Sequence, residues 1–397
     1  MVAFMFALAL LLTPELVAQS LEAPSSSRAD QIQSQRLNKA ANLRVEERGK
    51  YEEFVFRAER VVRRLPIQIG VGGLGPGAGF AVGSSAEWNS STDRIQAKAW
   101  GTVSVNRFYH AGGGVYLPTP LNNLTLSIEG SHSDAPQLEY YGPGPDSLLR
   151  DRSNYRREDT LFNFRLASDG RRLGGACHLG ELLLNVGPGK NDSIPSTETL
   201  FGPGEAPGVD VQSNFLIAGC SARFDTTDFP GDPHVGTFAE VIYDRYHAQS
   251  DDRFSFHRLS GVAEQYVPFL NKKRVVVLRA QTDISLHSAD QVVPFYLQPT
   301  LGSDTELRGF RRFRFYDENA IALTGEYRWE IHTGFDMALF SDFGKVFHPA
   351  GEISLSGMES SFGFGFRFKN KRNMVARLDT GFSREGVQVW LKFGKLF

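Results

Sequence analysis

The chain has 397 residues and a formal net charge of −2, so it offers no basic surface of the kind that binds nucleic acid. Its 2 Cys are too few for a disulfide framework or a Cys-based zinc site, and its 9 His show no metal-binding spacing. No motif typical of a hydrolase nucleophile or a phosphate-binding loop occurs. We therefore expect neither an enzyme nor a protein that holds a metal or another cofactor.

The chain begins with the features of a secretory signal peptide. Val2 to Leu12 form an apolar run that is too short to cross a bilayer as a helix. Ala18, Gln19 and Ser20 then offer a small-x-small cleavage site. We predict a signal peptide over residues 1–20, which implies export.

Residues 21–65 are predicted to form a polar linker and a helix, the helix over residues 30–64. One face of this helix is apolar and contains Phe54, Ala58, Val61 and Leu65. Pro66 ends the helix. Two interpretations stay open: a solvated periplasmic helix, or a helix that acts as a plug or docks a periplasmic partner.

From residue 66 onwards, apolar and polar residues alternate in segments of strand length. The clearest case is residues 361–369, where Phe occupies every second position and Ser, Gly, Arg and Lys lie between. We predict sixteen strands, at roughly 66–73, 77–89, 93–105, 107–117, 122–134, 156–169, 172–187, 211–225, 234–248, 253–268, 272–286, 318–331, 335–344, 359–368, 374–382 and 387–397.

The alternation indicates a membrane barrel, because a long Phe-rich face suits lipid and the polar face suits a lumen. No segment after the signal peptide has 18 consecutive apolar residues, and only helices and closed barrels satisfy every backbone group in lipid. The predicted connections are short on one side and long on the other, as in outer-membrane barrels. We predict an all-β, 16-stranded antiparallel transmembrane barrel over residues 66–397.

The two cysteines fall on the seventh and eighth predicted strands. If Val186 pairs with Val211, Cys177 lies opposite Cys220, and an oxidising periplasm would permit a disulfide. The other interpretation is a pair of unbonded, small apolar side chains, and it is the one we prefer.

The last predicted strand ends on an aromatic residue, Phe397, and also carries Trp390 and Phe393. A C-terminal aromatic on an alternating strand resembles the signal that the barrel-assembly machinery reads. We therefore expect that machinery to be a partner during biogenesis.

Three segments resemble motifs of the BamA/TamA-type superfamily of outer-membrane assembly and translocation barrels, also called the bacterial surface antigen family. The first is Leu307-Arg308-Gly309-Phe310, which is similar to the V/L-R-G-F/Y motif of the family. The second contains Asp225, Asp228, Pro230 and Gly236, and is similar to a strand-turn motif. The third is Phe340-Ser341-Asp342-Phe343-Gly344, which matches F-x-D-x-G.

The resemblance implies that the Arg308 loop folds into the lumen and pairs with a carboxylate on the inner wall. Strand parity places Asp342, Asp379 and Glu326 on the inward face. We expect Asp342 to be the main partner and Asp379 the second, since a guanidinium suits a bidentate carboxylate.

The resemblance also implies a function. We expect a bacterial outer-membrane barrel, surrounded by outer-membrane lipids, that assists protein insertion or translocation through a seam between its first and last strands. The roughly 45 residues between signal and barrel are too few for a POTRA module, so we expect a barrel-only member. The alternatives are a passive pore, a structural anchor that docks a periplasmic partner through residues 30–64, and a lipid-transfer protein.

Overall fold

The computed structural model describes residues 33–34, 37, 67–72, 78–90, 94–119, 123–170, 172–229, 231–270, 272–349, 351, 354–370 and 373–393. The predicted signal peptide lies outside the described residues, as do Pro230, Phe397 and all but three residues of the predicted N-terminal helix.

Sixteen strands of the described chain form one sheet, and each pairs antiparallel with its sequence neighbours in that sheet. They are β1 (Ile67–Gly72), β2 (Ala81–Asn89), β3 (Gln96–Ser104), β4 (Tyr109–Pro118), β5 (Leu124–Tyr140), β6 (Ser153–Asp169), β7 (Leu173–Pro188), β8 (Phe215–Asp225), β9 (Gly236–Ala248), β10 (Phe256–Phe269), β11 (Arg274–Leu286), β14 (Asn319–His332), β15 (Phe335–Phe347), β16 (Glu359–Asn370), β17 (Asn373–Ser383) and β18 (Gly386–Phe393).

Two further strands and four short helical segments lie in the connections. Strands β12 (Thr300–Leu301) and β13 (Phe315–Tyr316) pair with each other between β11 and β14. The helical segments are α1 (Thr197–Leu200) and three 3-10 turns, at Leu149–Asp151, Asp252–Phe254 and Phe295–Leu297. No helix among the described residues is long and apolar enough to cross a membrane.

Strand boundaries differ from the prediction mainly at the long connections. The predicted loop 135–155 is shorter, because β5 continues to Tyr140 and β6 already begins at Ser153. Pro136 argues against a continuous strand in the sequence, because proline cannot donate a ladder hydrogen bond. In the structure Pro136 lies in a register shift between Ala135 and Leu138, where that missing hydrogen bond is tolerated. The predicted start of β8 at residue 211 was also wrong, since β8 begins at Phe215.

The two faces of the sheet follow the predicted alternation. On β16, Phe362, Phe364 and Phe368 are exposed, whereas Gly363 and Arg367 are buried. We call the Phe362 face the outer face and the Arg367 face the inner face. The outer face carries exposed apolar side chains on most strands, among them Val103, Ile128, Phe162, Leu179, Val241, Leu278, Leu339 and Val389.

The two ends of the sheet also differ. The end at which β5 joins β6, β7 joins β8, β11 joins β14 and β15 joins β16 carries the long connections, and we call it the loop end. An aromatic cluster fills it, formed by Tyr140, Tyr155, Phe201, Phe215, Phe256, Phe295 and Tyr316 with smaller neighbours. The opposite, turn end has shorter connections.

The two edge strands of the sheet, β1 and β18, lie near each other. Phe80, which directly precedes β2, packs edge-on against Phe393 of β18, with 6.4 Å between ring centroids. The sheet is therefore curved enough to bring its first and last hairpins into contact.

Candidate functional site

The long connection from β11 to β14, residues 287–318, folds onto the inner face of the sheet, and we call it the inner loop. Leu307 and Phe310 are fully buried and pack with Leu301, Phe315, Ala320, Ala322 and Val346. This apolar cluster fixes the tip of the inner loop against β14 and β15. It places the predicted Leu307-Arg308-Gly309-Phe310 motif inside the fold.

Two glycines let the inner loop approach the sheet backbone. A Cβ on Gly309 would lie 2.6 Å from the carbonyl oxygen of Phe382 on β17. A Cβ on Gly381 would overlap the Arg308 carbonyl. Because neither position has room for a side chain, glycine is the residue that allows this contact.

Arg308 is bound to Asp342 by three hydrogen bonds. Its backbone N–H and its Nε each donate to Oδ2 over 3.0 Å, and its Nη2 donates to Oδ1 over 2.8 Å. Thr324 and Ser361 also donate hydroxyl hydrogen bonds to this carboxylate, over 3.0 and 3.3 Å. The bidentate geometry is the one in which a guanidinium binds a carboxylate most strongly.

The remaining predicted carboxylates complete the site. Nη1 of Arg308 donates to Oε2 of Glu326 over 2.7 Å and lies 3.5 Å from Oδ2 of Asp379. The structure thus brings all three predicted partners to Arg308. Glu326 is closer to Nη1 than Asp379 is, so the order we expected for the second partner was wrong.

Three further arginines belong to the same network and were not singled out in the sequence. Arg328 donates to Glu326 over 2.6 Å, Arg377 lies 2.7 Å from Asp379, and Arg367 pairs with both carboxylates. All three lie on the inner face of the sheet. Inward parity was the sequence signal that could have revealed them.

The network is buried and nearly charge-balanced. It contains four guanidinium groups, of Arg308, Arg328, Arg367 and Arg377, and three carboxylates, of Glu326, Asp342 and Asp379. Arg308 is 2 % exposed, and Asp342 and Asp379 are 0 % exposed. Removing one partner would leave an unpaired charge away from water, which typically costs about 3–5 kcal/mol.

Aromatic side chains enclose Arg308. Its guanidinium carbon lies 3.4 Å from the ring centroid of Phe340. Trp390 of β18 donates a hydrogen bond from Nε1 to the Arg308 carbonyl over 2.6 Å. Trp390 is therefore a buried inner-face residue that supports the loop. We predicted Trp390 only as part of a C-terminal assembly signal, and that prediction did not include a contact with the loop. Phe393, in contrast, contacts Phe80.

The strand-turn motif lies apart from the Arg308 network, in the connection from β8 to β9. Asp225 accepts a hydrogen bond from the Thr227 amide over 2.9 Å, and Asp228 accepts one from the His234 amide over 2.8 Å. Gly236 adopts a φ of 112°, which favours glycine. Burial opposes ionisation of Asp228, but hydrogen bonds from this turn and from Lys272 lower the pKa of its carboxyl.

The two cysteines form a cross-strand disulfide. Cys177 of β7 faces Cys220 of β8 in the register, with 4.0 Å between Cα atoms. Both residues are exposed on the outer face. The structure therefore has the bonded arrangement and not the unbonded pair that we preferred.

Comparisons with known proteins agree with this architecture. Residues 203–372 match the Omp85 superfamily domain. The fold is similar to that of BamA from Haemophilus ducreyi lacking POTRA domains 1–3, with a TM-score of 0.63, 13 % identity, and coverage of 82 % of this chain and 69 % of that chain. No curated protein matches in sequence.

A second solved structure is CdiB from Escherichia coli, with a TM-score of 0.51, 14 % identity, and coverage of 83 % of this chain and 61 % of that chain. The fold is thus that of a BamA-like β-barrel. The match of residues 203–372 to the Omp85 superfamily domain confirms the resemblance drawn from the motifs of this chain.

Proposed function

We propose that this protein assists the insertion or translocation of proteins at the bacterial outer membrane and catalyses no covalent reaction. The main observation in support of the proposal is the position of the inner loop. A buried network around Arg308 holds this loop against the inner face of the sheet, so the loop covers part of that face. A passive pore gains nothing from such a plug, whereas a barrel that must stay sealed between clients does.

The proposal requires the sheet to close on itself with a seam between β1 and β18. The contact between Phe80 and Phe393 supports this closure. The inner loop also contacts the strand at one side of the seam, since Trp390 of β18 donates to the Arg308 carbonyl. Loop position and seam would then be physically connected.

Membrane lipid is the proposed surroundings of the outer face. Exposed apolar residues cover it, as in barrels with a lipid-facing band. Aromatic side chains gather near the turn end, where the rings of Tyr327 and Trp329 stack with 5.4 Å between centroids and Trp88 is exposed. Such rings favour the membrane–water interface.

The first experiment compares single-channel conductance of the wild type with that of Arg308→Ala in planar bilayers. We expect a small wild-type current and a large, steady current in the variant, because the freed loop no longer fills the inner face. Lys98→Ala is the control, since Lys98 of β3 forms an exposed ion pair with Glu87 of β2 at 2.7 Å, outside the Arg308 network.

A large, steady current in all three proteins would contradict the proposal and favour a passive pore. The second readout is the folding rate of an unfolded outer-membrane barrel added to proteoliposomes that contain this protein. Wild-type protein should accelerate that folding over empty liposomes, and an unchanged rate would favour a structural anchor.

A further inference from the structure

The connection from β8 to β9 reaches far from its own strands. We call residues 231–235 the turn strap. Asp232 of the strap contacts Lys369 on β16, and Lys369 also pairs with Asp336 on β15. In the sheet, β15 lies four strands from β9, which is roughly 20 Å at the usual spacing of about 4.8 Å. The strap therefore crosses the turn end of the inner face.

Hydrogen bonds give the strap a defined shape. Asp228 accepts from the amides of His234 and Val235, over 2.8 and 3.2 Å, and its other oxygen lies 3.2 Å from Nζ of Lys272. Within the strap, Nδ1 of His234 and the carbonyl oxygen of Asp232 are 2.9 Å apart. These bonds aim the Asp232 carboxylate at the inner wall.

The contact at the wall joins three charged side chains, those of Asp232, Asp336 and Lys369. Asp232 and Asp336 are 8 % and 4 % exposed, and their carboxylate oxygens lie within 4.8 Å of each other and of a His234 ring nitrogen. Two carboxylates so close together repel each other, and a cation between them offsets that repulsion. The ammonium of Lys369 contacts both and supplies that charge.

A small buried cluster lies on the strands that the strap crosses. Tyr266 of β10 and Val275 and Val277 of β11 pack together and are at most 6 % exposed. The guanidinium of Arg328, on β14, lies 5.9 Å from the Tyr266 ring. These side chains lie near the turn end of the inner face. Without a covering segment, the two valine side chains would be exposed to water there.

We propose that the turn strap is a second closure, which shuts the turn end of the barrel and is latched by Lys369. The inference rests on the closed barrel proposed above. It assigns the two ends separate locks: Arg308 with Asp342 for the inner loop, and Lys369 with Asp232 for the strap.

The test measures how fast Val277→Cys, placed in every variant, reacts with a charged, water-soluble maleimide in detergent-solubilised full-length protein without reductant. The native cysteines are bonded to each other and do not react. Asp232→Ala removes the strap's half of the latch and leaves Lys369 paired with Asp336 on the wall. We expect it to raise the labelling rate at least tenfold.

Four further variants make the result specific. Lys369→Met leaves Asp232 and Asp336 facing each other without a cation, so labelling should also rise, and adding Asp336→Asn should bring it back towards the wild-type rate. Lys98→Met, which breaks an exposed ion pair with Glu87, should leave the rate unchanged. Arg308→Ala should raise the rate less than Asp232→Ala does, because Arg308 acts on this cluster only through Glu326, which faces Val277 in the register, and does not hold the strap.

Wild-type labelling rates in Asp232→Ala would overturn the strap as a closure. An increase in Arg308→Ala as large as that in Asp232→Ala would overturn the assignment of this end to the strap. Neither result depends on whether the protein inserts clients, which the folding assay in proteoliposomes measures separately.

Discussion

The β14–β18 wall and the β2–β8 wall of the sheet both contain pairs of a basic and an acidic side chain, but these pairs differ in burial. On the first wall, Arg308 and Asp342 are paired with side chains at most 2 % exposed. On the second, Lys98 and Glu87 are paired at 2.7 Å with side chains 37 % and 46 % exposed. Each pair joins a cation to a carboxylate, but the Arg308 pair is bidentate and buried, whereas the Lys98 pair has a single contact and is exposed to water.

The comparison shows where this fold keeps its specific contacts. A buried pair is worth little net but is costly to break, because the remaining charge has no solvent. An exposed pair is worth about 0.2–1 kcal/mol and is readily replaced by water. The inner loop is thus fixed by interactions that cannot be exchanged one at a time, whereas on the β2–β8 wall water can replace the contact of Lys98 with Glu87, and a disulfide ties β7 to β8.

The largest effect is expected from Asp342→Ala, which leaves Arg308 buried without its main partner. We expect a loss of about 3–5 kcal/mol in the free energy of unfolding, measured in urea by the loss of heat-modifiable mobility on gels. A loss below about 1 kcal/mol would show that water reaches the site, and would remove the distinction between the walls.

The disulfide gives the next effect, on the other wall. It closes a connection with a sequence separation of 43 residues, and removing it by Cys177→Ser with Cys220→Ser should lower stability by about 2–4 kcal/mol. The same urea titration, with and without reductant, measures this. If reductant alone does not shift the wild-type midpoint, the bond is not holding the β7–β8 hairpin.

Gly309→Ala tests the close approach of loop and sheet. The added methyl group has no space against the Phe382 carbonyl, so the loop must move, at a cost of about 1–3 kcal/mol. We expect raised conductance alongside the stability loss. Gly101→Ala is the matched control, because nothing lies within 4 Å of a Cβ there, and its conductance should equal that of the wild type.

The smallest effect is expected from Lys98→Met on the exposed pair. Its loss should not exceed about 1 kcal/mol and should shrink further at high salt, since surface pairs are screened. Urea titrations at two salt concentrations check this. A loss as large as that of Asp342→Ala would show that exposure is not what separates the two walls.

The sequence by itself determined the strand pattern and the facing of the side chains. Alternation has a period of two, so Phe362 and Gly363 had to lie on opposite faces whatever the fold around them. The same parity put Glu326, Asp342 and Asp379 inward, and the Leu307-Arg308-Gly309-Phe310 motif pointed to the loop that meets them.

Only the tertiary structure decided which inward groups meet. Parity gives a face but no position around the sheet, so it could not rank Glu326 above Asp379 for Arg308, add Arg367 to the network, or turn Trp390 to the Arg308 carbonyl. The contact of Asp232 with Lys369 joins residues 137 positions apart in sequence, across strands that local patterning does not relate. Such contacts depend on the curvature of the sheet and the path of its connections, which are set by packing over the whole molecule.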